Sequence, residues 1–305
     1  MGAGELPIVL VPVGSDEDAL DATLAALDAG TPAGTRVWLA DDAGSGPRGQ
    51  VIAERWQQRT RLQAAYTRRT RRLGEVAHLD EMLRACAGAD VAVLAPDAQP
   101  LPGWLGQLAD CLARDPSIGT ATPWSNVGET VAWPRLGDLN PLPDDRERLA
   151  EACAALAPLH PELPNAVSHA VVLRGRALQV AGSLDAESYG SWYAALVDLS
   201  LRLAGHGWRN ALCETAFVAC LDEARPADGD QDLLAARWPA WHARLAGFLM
   251  DDPLHARRSE LRERLAALAA QGPQRDMFAG GECTPTASAP DEGPLDENVH
   301  REGGQ

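Results

Sequence analysis

In the first third of the chain the apolar positions follow two rhythms. Leu6-Pro7-Ile8-Val9-Leu10-Val11-Pro12-Val13, Arg36-Val37-Trp38-Leu39-Ala40 and Asp90-Val91-Ala92-Val93-Leu94 are nearly unbroken apolar runs. Such runs suit strands buried on both faces of a parallel sheet. Between them the apolar residues recur at helical spacing. Leu20, Leu24 and Leu27 form one stripe, with Ser15 read as the helix N-cap and Asp18 as an acid in the first turn. A second helix is predicted over 51–63. Leu79, Met82, Leu83 and Cys86 mark a third, closed by Gly88. Pro102-Gly103-Trp104-Leu105 opens a fourth, with Leu105, Leu108 and Leu112 on one face. Strand and helix alternating at this spacing predict an α/β fold with a doubly wound, mostly parallel sheet.

The second half reads differently. Pro123 to Pro143 is rich in Pro, Gly and Trp and predicts a long loop. Helices are expected over 147–156 and 191–203, strands over 166–173, 209–212 and 217–221, and a short turn or helix over 175–180. From Asp232 to Ala270 the pattern is helical, broken at Pro239 and Pro253. Beyond Gln271 the chain is rich in Gly, Pro, Ser, Thr and acids, a composition that predicts disorder. The expected organisation is a main domain over 1–228, a helical extension over 229–270 and an acidic tail over 271–305.

Charge narrows the function classes. The formal net charge is −16 and lysine is absent. Nucleic-acid binding needs clustered positive charge, so no nucleic-acid partner is expected. Arg68, Arg69, Arg71 and Arg72 are the one basic cluster, read either as a solvated segment or as a site for a phosphate or lipid headgroup. The latter allows peripheral membrane association. No apolar run approaches the about 18 residues of a membrane span, and no secretory leader is recognisable, so a cytoplasmic location is expected. The six cysteines (Cys86, Cys111, Cys153, Cys213, Cys220 and Cys283) lack CxxC spacing and are read as free thiols.

Candidate chemistry sits at strand ends, where open α/β sheets bind ligands. Asp41, Asp42 and Asp97 lie there. Such aspartates bind ribose, base or metal, or serve as turn and cap residues. Trp124, Trp133 and Trp192 fall in or beside loops, where indole rings stack on sugars or fill a core. Among the histidines, His169 is the one to watch, because its strand leads toward the predicted 175–180 segment.

Taken together these residues resemble a family. The strand ending in Asp41-Asp42-Ala43-Gly44-Ser45 is similar to the second strand of family-2 glycosyltransferases, which ends in Asp-Asp-Gly-Ser. Leu94-Ala95-Pro96-Asp97 followed by Pro102-Gly103-Trp104-Leu105 resembles the family's metal-binding segment and following helix. Thr122-Pro123-Trp124-Ser125-Asn126 looks like the Thr-Pro-x-Ser-Asn loop of bacterial polysaccharide and O-antigen transferases. Val180-Ala181-Gly182-Ser183-Leu184-Asp185, Asp198-Leu199-Ser200-Leu201-Arg202 and Gly207-Trp208-Arg209-Asn210 continue the match.

The resemblance implies a GT-A fold and inverting transfer of a hexose or deoxyhexose from a nucleotide-diphosphate donor to a hydroxyl of a glycan or glycoconjugate. It places Pro12, Asp41, Asp42 and Asp97 on the nucleotide, and Trp124, Asn126 and Trp192 on the acceptor. It also implies a divalent metal, Mg²⁺ or Mn²⁺, on Asp97, although Ala95 and Cys220 stand where the family has two further ligands. The base position, second in the family's acid pair, falls on Leu196 in Ala195-Leu196-Val197-Asp198-Leu199. Leucine accepts no proton, and a positioned base is worth about 10²–10⁴-fold. Asp198, Asp185 and Glu187 are the nearest substitutes. Two readings follow: an enzyme of cell-surface polysaccharide assembly, or an inactive sugar-nucleotide-binding scaffold that partners an active transferase.

Overall fold

The computed structural model describes residues 6–137 and 139–270; the expected tail and Cys283 lie outside them. The apolar runs form the predicted strands β1 (Ile8–Pro12) and β2 (Arg36–Asp41), joined by helix α1 (Glu17–Gly30). The cap of α1 is Asp16 rather than Ser15, its carboxylate accepting the Asp18 and Ala19 amides. Pro47, whose fixed φ suits a first turn, starts α2 (Pro47–Arg59) earlier than the apolar pattern suggested. The chain then enters β3 (Gln63–Arg68), a strand that the apolar pattern does not announce.

Helix α3 (Glu75–Ala85) leads to β4 (Val91–Leu94), short β5 (Ala98–Pro100), α4 (Trp104–Arg114) and β6 (Ile118–Trp124). After the Pro-rich loop come α5 (Arg146–Ala154), β7 (Ala170–Leu173), α6 (Gly175–Ala181) and α7 (Trp192–Gly205). The two strands expected after α7 are one continuous strand, β8 (Arg209–Cys220). Helices α8 (Asp230–Arg237), α9 (Trp241–Asp251) and α10 (His255–Ala270) follow, separated at Pro239 and Pro253 as predicted.

The strands make one sheet in the order β3-β2-β1-β4-β7-β6-β8-β5. β3, β2, β1 and β4 run parallel, and β6 runs parallel to β8. β7 is antiparallel to both β4 and β6, and β5 to β8. One core cluster packs α1, α2 and α4 on one face; another packs α3 and α7 on the other. The apolar strands β1 and β4 are therefore covered on both sides, as their composition required. A third cluster gathers Trp124, Trp133, Leu149, Phe217 and Leu261 where α5 and α10 meet the β6–β8 end.

A candidate active-site cleft at the strand ends

β1, β2 and β4 all end on the same edge of the sheet. There Pro12, Leu94, Ala95, Pro96 and Asp97 line one wall of a cleft of about 240 Å³. Ser168, His169, Trp192, Tyr193, Cys220, Asp222, Glu223, Ala224 and Arg225 complete its lining, with His169 beside Ala95, whose amide donates to the His169 carbonyl at 2.9 Å. Glu75 reaches the cleft from the first turn of α3. Gly74, at φ +101°, makes the turn into that helix with open space where a side chain would stand.

Of the sequence-predicted residues, the cleft lining brings together Pro12, Asp97 and Trp192. The others have different surroundings. Asp41 is fully buried. Its carboxylate accepts the Gly44 amide at 2.8 Å, the Ser45 amide at 3.3 Å, the Ser45 hydroxyl, the Tyr66 hydroxyl at 3.1 Å and the Arg68 guanidinium at 2.7 Å. Burial alone would push this carboxyl up; the Ser45, Gly44 and Tyr66 donors outweigh it and hold it below the usual value. Asp42 accepts the Leu73 and Gly74 amides at 2.7 and 2.8 Å, tying the end of β2 to the entry of α3. In the basic cluster, Arg68 and Arg69 pair with Asp41 and Glu81, while Arg71 and Arg72 are exposed and Arg72 lies beside Gly44.

Three expectations are corrected. Trp124 offers no stacking face, because it is fully buried and the Arg258 guanidinium sits over its ring, 5.5 Å from the centroid. Asn126 is occupied within the protein. Its amide donates to the Asn140 and Cys220 carbonyls and accepts the Cys220 amide at 2.8 Å. Asp198 is fully buried and does not line the cleft. It accepts from Arg202 at 2.8 Å and Trp238 at 3.0 Å, with Arg237 at 3.4 Å. An acid so enclosed braces helices and does not meet a substrate. Asp185, paired with Arg237, and exposed Glu187 also lie off the cleft lining. Leu196 is a core residue, as its side chain dictates.

The donors around Asp97 do not suit a divalent ion. Asp97 accepts the Cys220 thiol at 3.1 Å on one oxygen and the Leu221 and Asp222 amides at 3.1 and 3.0 Å on the other. Burial, then Asp97 itself, raises the Cys220 thiol, which stays protonated and is a poor ligand. Ala95 supplies nothing. Among the described residues no group of three His, Cys, Asp or Glu side chains is placed to hold a metal. Asp97 instead pins the chain after β8 against β4.

Sequence reading missed the other acids of the cleft. Glu75 is open to the cleft yet crowded by protein, which raises its carboxyl against the pull of the Trp192 amide it accepts at 3.1 Å. Glu223 is raised by crowding, then by Glu129 and Asp222, against Arg225. A lone Glu at a helix start or in a charged loop has no spacing signal to announce it. His169 does face the cleft, with both ring nitrogens lacking hydrogen-bond partners. Burial lowers it to about 3, so the ring is neutral.

Comparison with known proteins places this geometry. Residues 8–156 match the model of the family described as glycosyl transferase family 2. Among solved structures, the mannosyltransferase PcManGT from Pyrobaculum calidifontis, in complex with GDP-Man and Mn²⁺, superposes with a TM-score of 0.54 at 18% identity, over 87% of this chain and 75% of that one. GalNAc-T7 with UDP, GalNAc and Mn²⁺ gives 0.54 at 14% identity, over 88% of this chain and 58% of that one. At these identities the likeness is one of fold, the GT-A glycosyltransferase fold. No curated protein matches the chain.

Proposed function

We propose, on the match of residues 8–156 to the glycosyl transferase family 2 model, that the chain moves a sugar from a nucleotide-diphosphate donor to an acceptor hydroxyl. The donor lies in the cleft at the ends of β1 and β4. The observation that carries the reading is the cleft itself: one concave site at the carboxyl ends of parallel strands, where folds of this kind bind nucleotides. Trp192 and Tyr193 give its lining aromatic surface, and Arg225 is the cation of that lining among the described residues, available to a diphosphate. The Thr122-Pro123-Trp124-Ser125-Asn126 loop supports a role in cell-surface polysaccharide or glycoconjugate assembly, with inversion and a hexose or deoxyhexose as cargo.

No step is routed through a metal, since the residues around Asp97 are spent on the protein. The test is calorimetry with UDP-glucose, GDP-mannose and dTDP-rhamnose, with and without Mn²⁺. Binding of at least one donor, with affinity that Mn²⁺ leaves unchanged, is the expected result. No binding of any of them sinks the reading. Leu196 in the core favours a second reading, a sugar-nucleotide-binding scaffold that partners an active transferase. Binding without nucleotide release would favour it.

A further inference from the structure

A second, smaller cavity adjoins the cleft. It is lined by Glu129, Asn165, Ser168, His169, Tyr193, Val197 and Glu223, among others, and Ser168, His169, Tyr193, Glu223 and Ala224 line both spaces. Its volume is about 20 Å³, room for one water-sized group, which needs about 10–15 Å³. Two of its lining residues carry buried polar atoms without hydrogen-bond partners, Asn165 at Oδ1 and His169 at both ring nitrogens. A neutral imidazole and an amide oxygen left open around a hydroxyl-sized space are what an incoming O–H requires.

Two carboxylates reach this cavity from segments that the structure locks together. Glu129 follows Asn126 by three residues on the loop after β6, and Asn126 clamps the backbone of Cys220 at the end of β8. Asp97 fixes the Leu221 and Asp222 amides, so Glu223 directly follows a pinned segment. The Tyr193 hydroxyl donates to Glu129 at 2.8 Å. Tyr193 stands three residues before Leu196, on the same face of α7. The loop acids therefore gather beside α7 at Tyr193 and Val197, within one turn of Leu196.

We propose that Glu223 is the general base of this transferase, and that Glu129 and Tyr193 position it across a cavity that takes the acceptor hydroxyl. The inference rests on the transferase reading given above. The acceptor O–H bond breaks and its proton passes to the Glu223 carboxylate. The freed oxygen bonds to the anomeric carbon as the bond from that carbon to the diphosphate oxygen breaks, and the electron pair leaves with the nucleoside diphosphate. The charged and titratable groups facing Glu223 are Glu129 on the loop after β6, Tyr193 on α7, His169 ahead of β7, Asp222 and Arg225 on its own segment, and Glu75 and Asp97 across the cleft. Crowding by protein, then the neighbouring Glu129, raises the proton affinity of Glu223, the direction a general base needs.

The test has two arms. In the first, ¹³C-carboxyl NMR follows the titration of Glu223 without substrate. Glu129→Gln removes a neighbouring negative charge and is expected to move that titration to lower pH; an unmoved curve overturns the pairing. In the second, nucleotide release to water is measured with UDP-glucose, GDP-mannose and dTDP-rhamnose. Glu223→Gln is expected to lower kcat by about 100-fold or more with donor Kd unchanged. Glu223→Asp is expected to restore part of the rate, Glu129→Gln to shift the acid limb of kcat/KM to lower pH, and Glu187→Gln to change nothing. A Glu223→Gln protein at the wild-type rate overturns the base assignment alone. A wild-type protein that binds no donor overturns the transferase reading, and the base role with it, whatever the NMR arm returns.

Discussion

At the scale of single residues, His169 is set by its burial. It is 3% exposed, and its pKa falls to about 3 from the ordinary 6.5. The unfolded chain binds a proton below 6.5 that the folded chain refuses. The stability tied to the neutral ring is thus present above 6.5 and is lost as pH falls toward 3. Between those values the wild-type protein loses about 1.4 kcal/mol per pH unit through this one group. His169→Gln has no proton to refuse, so its urea midpoint is expected to fall less steeply with acid over the same window. Equal slopes for the two proteins would show that the ring is protonated in the fold. Asp41 acts lower still: its carboxyl is held below the usual value, so its contribution is present above that value and fades as pH drops through the folded one.

At the scale of elements, α10 is joined to the cleft through one arginine. Arg258 is buried, and it donates to the Ala132 carbonyl at 2.8 Å and the Thr130 carbonyl at 2.7 Å while pairing with Asp252. Thr130 and Ala132 belong to the loop that carries Asn126 and Glu129. Arg258→Met fills the space but leaves both carbonyls unmet, and is expected to cost roughly 3 kcal/mol. Hydrogen exchange should speed up over 126–133 and α10 together; acceleration of α10 alone would mean that the loop holds itself. This coupling was illegible in the sequence, as were three strands. β3 is a polar edge strand, β5 is three residues long, and β6 contains Gly119, Thr120, Thr122 and Pro123 where an apolar run would signal a strand. β1, β2, β4 and the apolar helices were legible because burial on both faces leaves an unbroken or regularly spaced apolar trace. Pro12, Asp97 and Trp192 were found at the cleft because strand ends and helix starts are fixed by local pattern. Asp198 misled because a buried acid and a catalytic one look alike until Arg202 and Trp238 are seen around it. Glu129 and Glu223 meet only through tertiary contacts, which spacing does not encode.

At the scale of the whole molecule, the charge balance bears on how a donor arrives. A nucleotide diphosphate is an anion approaching a chain of net charge −16, into a cleft lined by Glu75, Asp97, Asp222 and Glu223 and by Arg225. Arg71 and Arg72 add exposed positive charge, Arg72 beside Gly44, while Arg68 and Arg69 are neutralised by Asp41 and Glu81. The long-range field is repulsive and the local cations act only at contact range. Raising ionic strength from about 0.01 M to about 0.15 M shortens the screening length from about 30 Å to about 8 Å. That change removes the repulsion of the distant acids and leaves the contacts of a bound diphosphate with Arg225 largely intact. The association rate for a donor sugar is therefore expected to rise with salt, the reverse of a cationic site. Stopped-flow binding of GDP-mannose across that range measures it. Arg225→Ala should weaken the bound state through faster dissociation without altering the sign of the salt effect. A rate that falls with salt would instead assign the steering to Arg71 and Arg72, and the cleft acids would then be screened by their own surroundings before any ligand comes near.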